Sequence, residues 1–188
     1  MGALAYGLVY VLAALLALGA WLGAAWPLLV PAFVFAAIPA LDLALGRDVT
    51  DPDEAELARR ATDPRYDLLL RAWVPTQLGL LGLAIARVAS GGMSGIEIGP
   101  LAGGAGVGTG GAGITVAHEL MHRKAKVDRA LAEILMASTT YTWFCVEHVS
   151  GHHRNVATPL DPATSRLGES VYAFLPRTIV GGLRSAWA

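Results

Sequence analysis

The sequence predicts an all-α fold, a polytopic transmembrane helix bundle, on three observations. Residues 1–41 carry no charged side chain, and residues 98–117 carry none either. Charged residues make up only 15% of the 188-residue chain, where a soluble domain has about a quarter. Mean hydropathy is +0.51. A helix crossing the bilayer needs about twenty apolar residues, and several stretches supply them. The whole chain, 1–188, is read as a single membrane domain.

Residues 4–23 and 26–45 form the first two expected spans, with Gly23 to Trp26 as the turn. Pro27 suits the first turn of the second helix, where its missing N–H costs nothing. Pro31 and Pro39 are expected to kink that helix. The third span covers 70–89, with Arg71 and Arg87 placed to snorkel at its ends, and the fourth covers 97–117. The uncharged start is too long, and lacks the basic flank, for a cleavable signal peptide. With a net charge of −1, nothing suggests a nucleic-acid partner. Cys145 is the only cysteine, so there is no disulfide framework or thiolate cluster. It reads as a small packed hydrophobe.

The fourth span contains "GVGTGG", which matches a dinucleotide-binding glycine pattern. No strand precedes it, and an uncharged run is the wrong context for that turn. Small residues four apart, Gly99/Gly103 and Gly106/Gly110, are read as sites of close helix approach in lipid. Basic residues then set the orientation. Arg47, Arg59, Arg60 and Arg65 precede the third span, and Arg123, Lys124, Lys126 and Arg129 follow the fourth. Both loops are expected to be cytoplasmic.

All five histidines lie between 118 and 153. "HELMH" places His118 and His122 on one helical face, and "EHVSGHH" adds His148, His152 and His153. H-E-x-x-H is also the zinc-protease pattern, in which Glu119 would be the catalytic base. A zinc peptidase has no use for a second box of three histidines. A cysteine-free, imidazole-rich set suits iron with open positions for dioxygen, so two irons are favoured over zinc. For both boxes to share a centre, residues 130–146 must not cross the membrane. A crossing would separate the boxes by about 30 Å. That stretch is expected to be one helix, buried or lying at the cytoplasmic interface.

"HELMHR", "EHVSGHH" and "NVATPLDPATSRLGESVYAFLPR" resemble the integral-membrane non-haem diiron alkane 1-monooxygenases, and "PALDLALGRDVTDP" extends the likeness. H-x-x-x-H alone is shared with membrane desaturases and zinc proteases. The H-x-x-x-H-H box running into "VATPLDPATSRLGE" is the specific part. A methyl-aromatic (xylene) hydroxylase and a fatty-acyl desaturase are the related alternatives.

The resemblance implies His118, His122, His148, His152 and His153 as ligands of two iron ions. It implies terminal hydroxylation of medium- to long-chain n-alkanes with O₂ in a bacterial inner membrane. Electrons would come from rubredoxin, supplied by an NAD(P)H-dependent reductase. Glu119 and Glu147 are read as orienting imidazole N–H groups, or else as pairing with Arg123 and Arg154. Asp42 is either a functional intramembrane acid or a helix-end residue. Asp161, Arg166 and Glu169 are expected to form a loop network behind the second box. Phe33, Val34, Phe35 and Trp73 line a substrate channel or serve packing. The family carries further histidine motifs in its C-terminal half, and none follows His153 here. The chain is therefore expected to be the N-terminal part of a longer enzyme.

Overall fold

The computed structural model describes residues 3–46 and 51–188; Arg47 lies outside the described residues. No strand occurs among the described residues. The chain divides into two compact units, Met1–Val116 and Ala117–Ala188.

In the first unit, apolar helices run through Gly7–Leu22, Trp26–Leu45 and Pro64–Ala89. Gly23, at φ 76°, and Ala24, at φ 48°, make the first turn in the left-handed region. Among the described residues, Trp26–Leu45 and Pro64–Ala89 are the two helices long and apolar enough to cross a membrane. At about 1.5 Å per residue, each covers the hydrocarbon thickness. The Trp26–Leu45 helix answers its prolines with a π-helical segment, Phe33–Ala37, between Pro31 and Pro39. Asp63 caps the Pro64–Ala89 helix, accepting from the Arg65 N–H at 3.0 Å. The fourth expected span is helical but not uniform. Gly95–Val107 opens with a Ser94/Glu97 capping box and passes through a π segment, Gly108–Gly113, into Ile114–Met121.

Leu16, Ala20, Val30, Leu101 and Ala105 form the core of this unit. Close approach does occur at glycines, but not at the pairs expected. A Cβ added at Gly99, Gly103, Gly106 or Gly110 would meet open space. One at Gly104 would stand 2.5 Å from the Pro27 carbonyl oxygen, and one at Gly19 would stand 2.7 Å from Pro27 Cα. The rotation of the helix decides this, and the i, i+4 pattern does not reveal it.

In the second unit, Lys126–Ser138 is an amphipathic helix of 13 residues. Its buried residues, Asp128, Ala132, Leu135 and Met136, follow the helical period. The expectation of one helix over 130–146 is corrected. Thr140 turns into the left-handed region at φ 57°, and the Tyr141 N–H bonds back to the Met136 carbonyl at 2.8 Å. The Thr139 hydroxyl also bonds the Met136 carbonyl, at 3.0 Å, giving that backbone a non-helical alternative. Thirteen residues rise about 20 Å, too short to cross. Helical structure resumes through Phe144–Val146, a π segment Glu147–His152, and His153–Asn155. After a loop, Ser170 caps the Val171–Trp187 helix. Gly182 on that helix lies against Trp143, where an added Cβ would stand 2.6 Å from the indole ring.

Candidate metal centre

Four imidazoles converge on one point. His148 Nε2 lies 2.7 Å from His118 Nε2, 3.0 Å from His122 Nε2 and 3.1 Å from His153 Nε2. One ring nitrogen carries either a proton or a single in-plane lone pair, so it serves one such neighbour as a hydrogen-bond partner. Three neighbours at this distance are the arrangement of ligands around a shared cation. With metal–nitrogen bonds of about 2.1 Å, adjacent ligands of a six-coordinate ion sit about 3 Å apart, so these residues fit a metal.

The local backbone explains the second box. In an α-helix, residues five apart point about 140° away from each other. In the π segment Glu147–His152, with its wider i→i+5 turn, positions four and five ahead both return toward the starting face. His152 and His153 can therefore flank His148. The Phe144 ring stacks on His148 at 4.9 Å. His148 is buried, and burial first, then the neighbouring His118 and His153, pushes its pKa down to about 4. His118 is also lowered, by burial and then by His122. Both rings are thus neutral near pH 7, the form that binds metal.

His152 stands apart from this convergence. Its Nδ1–H donates to Asp161 Oδ2 at 2.8 Å, which leaves Nε2 with its lone pair free. Asp161 is fully buried and also accepts from the Ala163 N–H at 2.9 Å and the Thr164 hydroxyl at 2.5 Å. Burial alone would raise its pKa. The bonds from Thr164, Ala163 and His152 outweigh this and hold it below the usual carboxylate range.

The expected loop network is present with a changed membership. Glu169 accepts from the backbone N–H of Arg166 at 3.0 Å, while its main side-chain partner is Arg177, at 2.6 and 2.7 Å. Those Arg177 bonds, with the Arg166 N–H, hold the Glu169 carboxyl down at about 2. Arg177 had no role in the sequence reading. Its one signal is a cation within a mostly apolar helix, a signal that Arg184 shares.

Other expected residues are placed as follows. Glu119 is exposed and lies 3.6 Å from Arg123, which is the ion-pair alternative. Glu147 is buried. Its Oε1 is buried without a hydrogen-bond partner, to imidazole or to Arg154. It lines a cavity of about 360 Å³ with Ser150, Gly151, Arg154 and Ser185. Trp73 is packed rather than channel-lining. Its indole N–H donates to Gln77 Oε1 at 2.9 Å, and the adjoining void is about 10 Å³, room for roughly one water. Phe35 is 71% exposed, and Phe33 and Val34 are half-buried. Asp42 is exposed at the end of its helix, and Cys145 is half-buried with its thiol pKa raised by burial.

Imidazoles gathered from two helical boxes, in a chain with apolar helices long enough to cross a bilayer, give a membrane-type chain with a histidine cluster able to hold a metal ion. Residues 96–188 match the fatty acid desaturase family. The chain is 40% identical over 153 residues to the alkane 1-monooxygenase of Ectopseudomonas oleovorans, covering 81% of this chain and 38% of that protein. The figures for the alkane 1-monooxygenase of Pseudomonas putida are 39% identity over 159 residues, 85% of this chain and 39% of the relative. A xylene/toluene monooxygenase hydroxylase component of Pseudomonas putida is 31% identical, over 99% of this chain and 49% of its own length. The chain is homologous to the alkane 1-monooxygenases, and it spans less than half the length of these relatives.

Proposed function

We propose that this chain carries part of the diiron centre of an integral-membrane alkane 1-monooxygenase, which hydroxylates the terminal methyl group of medium- to long-chain n-alkanes. The observation that carries the reading is the meeting of His118, His122 and His153 on His148 Nε2 within 3.1 Å. The homology to alkane 1-monooxygenases supports the substrate class. When bound, the iron pair supplies activation of O₂ for insertion into an unreactive C–H bond.

The chain's own residues hold and orient that pair. His118, His122, His148 and His153 present Nε2 atoms to one another. His152 is turned by Asp161 so that its Nε2 is the free donor atom. Phe144 covers one face of His148 and keeps water from that ring. Rubredoxin, reduced by an NAD(P)H-dependent reductase, is the proposed electron donor. The basic residues Arg123, Lys124, Lys126 and Arg129 support a cytoplasmic site on a multi-pass bacterial membrane protein. Four crossings, at 4–23, 26–45, 70–89 and 97–117, are the proposed topology.

Relatedness to the xylene/toluene hydroxylase component favours methyl-aromatics as the second substrate reading. The test is iron analysis of the full-length protein together with product analysis on octane, hexadecane and p-xylene, with rubredoxin and reductase added. Iron-dependent 1-alkanol formation is expected. A zinc-dependent protein that forms no alcohol would overturn the proposal.

A further inference from the structure

Arg177 sits on the Val171–Trp187 helix, eight residues beyond Glu169, and ties one loop together from four directions. Nε donates to Glu169 Oε1 at 2.7 Å, and Nη2 to Glu169 Oε2 at 2.6 Å. Nη1 donates to the Pro162 carbonyl at 2.9 Å, and Nη2 also to the Thr164 carbonyl at 2.9 Å. Pro162 and Thr164 bracket the peptide that follows Asp161. The Ala163 N–H and Thr164 hydroxyl of that same turn hold the Asp161 carboxylate. Asp161 in turn fixes His152 Nδ1 at 2.8 Å. Pro162 also packs on Gly181, one helical turn past Arg177, where an added Cβ would stand 2.7 Å away. The guanidinium touches both the acid at the end of the loop and the two carbonyls beside Asp161.

We infer that Arg177 is a positioning residue for the metal centre: it holds the 161–164 turn so that Asp161 keeps His152 in its metal-binding orientation. The inference rests on the metal-centre reading above and deepens it. A fork of five N–H donors is required, because a carboxylate and two carbonyls are engaged at once. A lysine ammonium cannot span them. The orienting bond is two steps removed from the metal, so its loss weakens the site without deleting a ligand.

The test is a cobalt(II) titration of the full-length protein in detergent, read by visible absorption, with thermal melting by circular dichroism alongside. Arg177→Gln is expected to weaken cobalt binding about tenfold, the low end of what loss of an outer partner costs, with Asp161→Asn weaker still. The deciding measurement is a double-mutant cycle with His152→Ala. If Arg177 acts through His152, the double variant binds cobalt no more weakly than His152→Ala alone. A general structural role would instead add its loss in full, which overturns the inference. Unchanged affinity in Arg177→Gln also overturns it. Should Arg177→Gln fail to fold, Arg177→Lys keeps a cation beside Glu169 and carries the same cycle, with the same two outcomes. If the unmodified protein binds no cobalt or iron, the metal-centre reading itself fails, a result separate from either outcome of the cycle.

Discussion

Gly103 and Gly104 are neighbours on one apolar helix and should respond oppositely to a single methyl group. A Cβ at Gly104 would lie 2.5 Å from the Pro27 carbonyl oxygen, 3.2 Å from its carbon and 3.3 Å from Pro27 Cβ. Two of these are backbone atoms and the third belongs to a ring, so no rotamer change relieves the clash. The helix must retreat by about 1 Å, an overpacking cost of about 1–3 kcal/mol. Alanine's better helix propensity returns up to about 1 kcal/mol. Set against the middle of the overpacking range, about 2 kcal/mol, this leaves a net loss for Gly104→Ala of about 1–2 kcal/mol. For a chain of this size that lowers Tm by roughly 2–8 °C. At Gly103 an added Cβ meets nothing within 4 Å, so only the propensity gain remains and Tm should hold or rise. Thermal melting of both variants in the same detergent is the assay. Equal melting of the two would refute the packing of Gly104 on Pro27.

Acidification should destabilise the metal-free protein. His148 has a folded pKa of about 4, below its ordinary 6.5, so between these values the unfolded chain binds a proton that the folded chain refuses. Stability is therefore full above pH 6.5 and falls toward pH 4; denaturant melts at pH 7, 5.5 and 4.5 that coincide would contradict this. His148→Ala removes the common neighbour of three imidazoles and should weaken cobalt binding by more than the roughly 100-fold that an outer partner can cost. Direct titration checks it, and near-normal affinity would count against the convergence. Glu119 is exposed in a 3.6 Å pair with Arg123, so Glu119→Gln should change stability by less than about 1 kcal/mol and leave metal content intact. Loss of turnover with metal retained would instead favour the peptidase role for Glu119. Trp73→Phe leaves the buried Gln77 oxygen without its indole donor and should cost about 1–3 kcal/mol by thermal melting.

Membrane character and metal chemistry were legible in the residues themselves. Charge-free runs state a solvent preference wherever they fold, and imidazoles without thiolates state a ligand type. The i, i+4 spacing of His118 and His122 works on any helix. Local spacing also places the Asp63 and Ser94 caps. What lay beyond the sequence depended on rotation and on contacts between distant residues. H-x-x-x-H-H brings His152 and His153 back to the face of His148 only because residues 147–152 take a π turn. Gly19 and Gly104 matter for packing because Pro27 lies across from them. The Lys126–Ser138 helix stops at Thr140 because a left-handed turn closes there. Arg177 joins the site through carbonyls 13 and 15 residues away, a relation that no local pattern encodes. Residue chemistry set the ligand type and the solvent preference, and tertiary packing chose which copies of a repeated residue come together, because orientation is a property of the assembled helices.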